Sequence, residues 1–512
     1  MAAFIFRRIL VSFLILLGAS FLIYVMIALA TDPLQEFRES RLPNRDQLIA
    51  ARVQALDLNT PIPLRYLGWL QGALGCALPF ADTCNLGLNF NGQQVSELLA
   101  RAVPATLQLV TSATLIAWIV GISVGIVSAL RQNTGFDYSV TFAAFLFFSL
   151  PSFWVAVLAK EFIALPFNDF LRDPVISPLA AIGIGAVSGF IWSSLIGGDR
   201  RKRLAVFAIA GVGTALVLVY LAATDWFLNP GLGPVIVVLS AAGIAALMTM
   251  LLSSLKDRKA VLTSGITAVI GVICYAALQP VLDDATFATL LLLGGISLAI
   301  GGAVGYLVGG YDRGMQMRLG AMVAFFISLV VLIDRFMQSW NAYVTNSAIR
   351  GRPIPTIGSS TPTIRGDFWI QATDTFTHLL LPTAALVLVS IATYSRYSRA
   401  GMLDVMNQDY IRTARAKGLP ERTVIVRHAF RNSLIPLATI VAADVGALLG
   451  GAVITEQVFA IPGMGQLFIA ALQRGDPNPV MAFFLVVAIF VIVFNLIADL
   501  SYAALDPRVR AR

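Results

Sequence analysis

Residues 410–432 read YIRTARAKGLPERTVIVRHAFRN, a polar and strongly basic stretch between apolar runs at 376–400 and 434–458. Short loops that collect Lys and Arg beside membrane spans lie on the cytoplasmic side of a bilayer, so this stretch is placed there. Within it, the small residues Thr413, Ala414 and Ala416 precede Gly418, the apolar pair Val424 and Ile425 follows, and His428 and Asn432 close the run. The pattern predicts helix, glycine, helix. Gly418 takes the left-handed conformation that ends one helix, and Pro420 suits the first turn of the next. Small side chains on the first helix let a partner surface approach closely.

The rest of the chain has the same alternation of long apolar runs and short polar turns. Its 512 residues are 58% hydrophobic and 12% charged, about half the charged fraction of an average soluble chain. The composition defines an all-α polytopic membrane protein, because a spanning segment must satisfy its own backbone hydrogen bonds. The net charge of +8 then reflects loop asymmetry rather than nucleic-acid binding. Two histidines and three cysteines leave little material for a metal site. Cys76 and Cys84 fall in an external segment, where they either form a disulfide in an oxidising compartment or stand as two free thiols. Cys274 lies in an apolar run and serves packing.

In chain order, Arg7 and Arg8 precede an uncharged run ending at residue 30. It is too long for a signal-peptide core, so 1–30 reads as a retained first transmembrane helix with its N-terminus inside. Residues 31–100, broken by Pro33, Pro43, Pro61, Pro63 and Pro79, form an external segment. Core helices 2 and 3 occupy 101–165, at about 102–130 and 138–165, the second kinked around Ser149-Leu150-Pro151-Ser152. Lys160 and Glu161 near its outer end read as snorkelling to the interface, ahead of a substrate-path pair.

Residues 166–340 carry six more apolar runs, at 175–197, 204–223, 233–255, 260–280, 286–309 and 319–338, read as an inserted six-helix transmembrane bundle. Asp199, Asp257 and Asp312 recur in its internal turns at spacings of 58 and 55 residues, which suggests one helical hairpin repeated three times. Gly301, Gly305 and Gly309 suit close helix contact. Asp334 and Arg335 read as a pair reaching water together at an outer end. Residues 341–375 form an external loop, and 376–512 hold the last three core helices with the cytoplasmic segment 404–432 between the first two of them.

The result is about twelve spans with both termini inside. Of the 36 Lys and Arg, 21 fall in the predicted cytoplasmic segments and two more, Arg396 and Arg399, at the inner end of the run 376–400, against 8 of the 28 Asp and Glu in those segments, as the positive-inside rule requires. Asp444, in VAADVGALLGG, is an acid inside a span, which either faces the pathway or pairs with a helix of a neighbouring chain. Its neighbours Gly446, Gly450 and Gly451 read as packing positions, and Asp499 as structural. Glu456 is read either as a gate at the outer mouth or as a structural residue of a re-entrant segment. The chain has no GxxxxGK[ST] loop to cradle a nucleotide.

The stretch 410–432 resembles the coupling loop of ABC importer permeases of the dipeptide/oligopeptide/nickel family, with Ala414, Gly418, His428 and Asn432 at the motif's small, glycine, histidine and asparagine positions. Thr413 and Arg415 depart from the acidic and second small residue of the generic motif. LDLNTPIPLRYLGWLQGALG (56–75), LLARAVPATLQL (98–109), TEQVFAIPGMGQLFIAAL (455–472, with Glu456, Pro462, Gly463 and Gly465) and the closing DLSYAALDPRVRAR (499–512) resemble the same family in order.

The resemblance implies a type I ABC importer transmembrane domain, with the six extra helices between family helices 3 and 4. It implies a non-enzymatic permease subunit that forms half of a pathway for peptides or a related solute such as a nickel chelate, in a prokaryotic plasma membrane. The implied partners are a second permease, two cytoplasmic ATPases carrying ATP and Mg, and an extracytoplasmic solute-binding protein. The rival class is an ion-gradient-driven secondary transporter. It needs coupling-ion acids or broken helices in two related halves, whereas here the two halves differ, the repeat is confined to the insert and acids within the spans are sparse.

Overall fold

The computed structural model of the chain describes residues 2–39, 43–76 and 84–505. Among them no strand ladder forms; one bridge joins Leu88 and Gln94. The long α1 (Ala2–Ala30) is followed by α2 (Gln35–Arg38), α3 (Arg45–Ala55) and α4 (Ile62–Gly75). Then come α5 (Val95–Leu130), α6 (Gly135–Ser149), α7 (Ser152–Ala159), a π-helical turn (Lys160–Ala164) and α8 (Leu165–Arg172). The middle of the chain builds α9 (Pro178–Ile196), α10 (Arg200–Ala223), α11 (Gly233–Leu252), α12 (Arg258–Ala277), α13 (Gln279–Asp283), α14 (Phe287–Gly309), α15 (Arg313–Gln338) and α16 (Trp340–Val344). The last part holds α17 (Phe368–Met406), α18 (Asp409–Ala416), α19 (Glu421–Thr423), a second π-helical turn (Val424–Phe430), α20 (Arg431–Phe459), α21 (Met464–Arg474) and α22 (Pro477–Leu505).

Nine of these stretches are long and apolar enough to cross a membrane, or eleven when each of two sharply bent pairs counts as a span. One of the nine, Phe287–Val344, contains both α14 and α15. These two are antiparallel: a Cβ on Gly301 would strike the Gly320 carbonyl, and one on Gly305 the Gln316 carbonyl. Separating them gives twelve spans among the described residues. The protein is a multi-pass membrane protein.

The third span differs from its expectation. It is not a kinked helix but two helices meeting at 101°. Leu150 adopts an extended conformation (φ −88°, ψ 128°), as a residue before proline must, and Pro151 starts the next helix at its N-cap. The helical path then continues to Arg172, beyond the expected end. Lys160 and Glu161 sit in the π-helical turn, Lys160 half-buried and Glu161 exposed.

The insertion is also not one six-helix bundle. Hairpin α9–α10 packs on itself and on α6, whereas α11, α12, α14 and α15 form a separate four-helix unit. Gly185 and Gly189 on α9 meet the carbonyls of Gly211 and Phe207 on α10 at backbone distance. That closeness lets the hairpin stand without further support, and α10 buries no residue within this chain. The four-helix unit closes on Ala241, Ala245, Ala260, Leu319, Val323 and Ile327. Each of the three hairpins places an aspartate at the N-cap of its second helix: Asp199, Asp257 and Asp312. Only Asp257 makes the capping bonds, accepting from Lys259 N and Ala260 N.

Asp334 does not reach water. It is fully buried and accepts from Leu232 N (2.6 Å), Gly233 N (3.2 Å), Tyr275 (2.9 Å) and Gln338 (2.8 Å). Arg335 turns away from it and pairs with Asp283 at 2.6 Å. An acid with four donors is satisfied inside a span without a cation.

The main core joins α1, α4, α5, α7, α17, α20, α21 and α22. Within it α5 and α17 lie against each other because Gly121 and Gly125 leave room for Tyr394, Ser395 and Ser398. A Cβ on Gly446 would meet Val491 on α22, whereas one on Gly450 or Gly451 would meet nothing within 4 Å among the described residues, so no close helix contact requires glycine at those two positions. The structure joins Cys76 to Cys84 by a disulfide, and Cys274 is free and half-buried. Residues 77–83 of the intervening loop, residues 506–512 of the closing run and the side chain of Asp499 lie outside the described residues.

Candidate functional site

The segment 404–432 sits at one end of the helix array, here termed the basic end. Helix α18 covers Asp409–Ala416, and Gly418 then turns the chain at φ +74° with open space where a Cβ would project. Any other residue is strained in that left-handed region. Pro420 occupies the N-cap of α19, and the chain continues through the π-helical turn into α20. The fold of the segment follows from its apolar side chains. Ile411, Ala414, Val424 and Ala429 are buried on Met402 of α17 and Ala129 of α5, with Ile126 and Ile425 at the edge.

This sorts the predicted residues into two faces. Ala414 is 8% exposed and faces inward, so its small size serves the fit against α17 and α5 rather than a partner. Thr413, Ala416 and Gly418 are exposed and form the outer face. His428 is half-buried, and its carbonyl accepts from Asn432 Nδ2 at 3.0 Å. Asn432 also donates to the Tyr410 hydroxyl at 3.0 Å, tying the start of α20 to the start of α18. Across the Gly418 turn, Arg415 grips Glu421 at 2.6 and 3.1 Å. The guanidinium holds the Glu421 carboxyl below its ordinary range.

Two polar contacts anchor α17 above this segment, and neither was read from the sequence. Arg399 makes a two-pronged pair with buried Asp137, Nε to Oδ1 at 2.7 Å and Nη2 to Oδ2 at 2.9 Å. Ser128 and the Asn133 N–H complete the shell of the carboxylate. The pair locks the α5–α6 turn to α17 a few residues before the segment begins. One turn earlier, Arg396 stacks over Phe148 at 4.0 Å.

Asp444 is half-buried inside α20. It accepts from the Tyr394 hydroxyl, which accepts in turn from Trp118 Nε1 at 2.9 Å. The relay links α20, α17 and α5, and no lysine or arginine pairs with Asp444 among the described residues. Glu456 is elsewhere. It is fully buried, accepts from Thr106 Oγ1 (2.6 Å), Gly465 N (2.7 Å) and Gln466 N (3.2 Å), and so caps α21. Gly463 and Gly465 lie directly against its carboxylate. It holds the 82° bend between α20 and α21. Thr106 also accepts from Met464 N at 2.8 Å, pinning the bend to α5.

At the opposite end of the array, Arg52 lies over Phe90 at 4.0 Å, and Phe90 N donates to Asp476 at 2.6 Å. Burial raises the Asp476 carboxyl to about 6. No group of three or more His, Cys, Asp or Glu suited to a metal occurs among the described residues.

The helical array thus carries a two-helix segment folded onto the basic end of its core. A family model described as the binding-protein-dependent transport system inner membrane component matches residues 350–511. The chain is 36% identical over 226 residues to the oligopeptide transport system permease protein OppB of Mycobacterium tuberculosis, covering 43% of this chain and 69% of that protein. It is 46% identical over 136 residues to the oligopeptide permease AppB of Bacillus subtilis, 27% of this chain and 43% of the relative. With the dipeptide permease DppB of Escherichia coli K12 it shares 44% over 137 residues, 27% and 40% of the two chains. The chain belongs to the family of binding-protein-dependent transport system inner membrane components.

Proposed function

We propose that the chain is a permease subunit of an ATP-driven, binding-protein-dependent importer and forms half of a pathway for peptides or a chemically related small solute. The observation that carries this is the two-faced segment 404–432. Its inner face is apolar and seated on the near ends of α5 and α17, at Ala129 and Met402, so it moves as one body with those ends. Its outer face presents Thr413, Ala416 and Gly418 around an exposed turn, which suits insertion into a groove on a cytoplasmic ATPase. Closure of two ATPases on ATP would swing the segment, and α20 with the near half of α17 would carry the motion to the pathway as a rigid body. In this reading the basic end is cytoplasmic, both termini lie there, and ATP and Mg are held by the partner ATPases. A solute-binding protein docks on the opposite face, and a related permease supplies the other half of the pathway. Asp444 is the carboxylate best placed to meet a cationic group of the solute, with the open face at Gly450 and Gly451 two turns along the same helix.

The test is uptake of a labelled dipeptide or tetrapeptide into proteoliposomes holding the assembled transporter. The proposal expects uptake that requires ATP, the binding protein and the ATPases. Uptake without ATP that an uncoupler abolishes would replace it with a gradient-driven carrier.

A further inference from the structure

The insertion has no role in the reading above, yet it touches the segment on which that reading rests. Arg422, in α19, donates from Nη1 to the Met250 carbonyl at 3.3 Å and from Nη2 to the Leu251 carbonyl at 2.5 Å. These are two of the last carbonyls of α11, which lack partners inside their helix. The guanidinium therefore caps an inserted helix at its partially negative end.

The capped end is stiff. The Ser253 hydroxyl donates to Asp257 at 2.9 Å, Asp257 caps α12, and Gln316 of α15 reaches the same carboxylate at 3.5 Å. The other end of α11 is equally fixed, since Asp334 on α15 holds Leu232 N and Gly233 N. From there the four-helix unit is fastened to the opposite half of α17. Trp369 donates to the Leu282 carbonyl at 2.6 Å, Ser339 bonds Thr373 at 2.8 Å, and Tyr343 bonds Thr377 at 2.8 Å. The unit thus spans the membrane beside α17 as a rod of about 30 Å, fixed to α17 at one end and to the segment through Arg422 at the other.

We propose that the inserted four-helix unit is an intramolecular regulator of the coupling segment, and that the Arg422 clasp opens and closes once per transport cycle. The proposal rests on the coupling role given to 404–432. Pro382 interrupts α17 between the rod's anchors at Trp369, Thr373 and Thr377 and the seat of the segment at Met402, so the near half of α17 can swing with the segment while the rod stays with the far half. The two hydrogen bonds must break in one state, and the capped state is held by an exposed, breakable contact rather than by buried packing. All three groups are solvent-accessible, so no core has to open.

The experiment uses the whole transporter with its ATPases, carrying Arg422→Cys and Leu251→Cys in a Cys274→Ser background. A short bis-methanethiosulfonate reagent, which forms a mixed disulfide with each cysteine as methanesulfinate leaves and is cleaved by a reductant, is applied with no nucleotide and with ATP plus vanadate. The expected result is cross-linking about tenfold faster in one state than in the other, loss of uptake on cross-linking, and recovery on cleavage. Equal rates in both states, uptake that survives the cross-link, or no cross-link in either state would overturn the clasp. Co-purification separates the two levels: a wild-type chain that brings down no ATPase would overturn the coupling role itself, whereas a normal ATPase complex with a state-independent cross-link would overturn only the regulator.

Discussion

Replacing Arg399 by alanine leaves the carboxylate of Asp137, whose side chain is 3% exposed, without its cation. Breaking a buried pair from one side costs about 3–5 kcal/mol. Arg399 is 30% exposed, and Ser128 and Asn133 still donate to the orphaned carboxylate, which puts the cost near the lower bound, about 3 kcal/mol. An unfolding entropy of roughly 2.1 cal/mol/K per residue over the 512 residues gives about 1.1 kcal/mol/K. The melting temperature should therefore fall by roughly 3 °C if the chain melts as one unit, and further if a smaller unit melts first. Fluorescence-detected melting of the protein in nanodiscs measures this. The diagnostic comparison is the double variant Asp137→Ala/Arg399→Ala, which removes both charges and should recover more than half of the loss. Additive losses in the double variant, or a single variant that melts like the wild type, would show that the pair does not hold the α5–α6 turn to α17.

Other outcomes follow from the same contacts. Glu456→Ala leaves the N–H groups of Gly465 and Gln466 unpaired at a buried bend and should cost about 3 kcal/mol, whereas Arg415→Ala breaks an ion pair whose members are 42% and 53% exposed and should cost under about 1 kcal/mol. Melting of the two variants side by side distinguishes a structural carboxylate from a surface one, and equal losses would contradict the assignment. Asp476 has a folded-state pKa raised from 3.8 to about 6, so the folded state keeps its proton longer than the unfolded one. Its contribution is full below the unfolded value and is lost as pH rises through about 6, a swing of about 3 kcal/mol. Proteolysis of the 85–94 region should thus be slower at pH 5 than at pH 7.5, and Asp476→Asn should remove the difference. A pH effect that survives Asp476→Asn would assign it elsewhere.

The spans were legible because a run such as 233–255 has no alternative to crossing the bilayer; α11 follows it to within three residues, ending at Leu252. The glycine turn at 418 was legible for a similar reason, since the left-handed residue that ends a helix is most often glycine. What could not be read was partnership across distance. Asp334 next to Arg335 looks like a local pair, but its donors Leu232 and Tyr275 lie 102 and 59 residues away. Asp137 and Arg399 are 262 residues apart and carry no shared pattern. Ala414 shows why a motif residue's direction is also hidden. A small side chain serves an inward or an outward fit equally well, and only the burial of Ile411 and Val424 beside it fixes the choice. The break at Pro151 had a visible cause, but a proline inside a span permits either a kink or a full turn, and the extended Leu150 decides for the turn.

The central claim is that the segment 404–432 docks an ATPase through its exposed Gly418 turn. It is tested most directly by co-purifying the tagged chain with its cytoplasmic ATPases, wild type against Gly418→Asp. Asp tolerates the left-handed backbone better than most residues, and open space surrounds this position, so the variant adds a charge to the outer face while the spans remain intact. The claim predicts an ATPase that accompanies the wild type and is lost from the variant at equal membrane abundance. An ATPase retained equally by both, or absent from the wild type in gentle detergent, would contradict it.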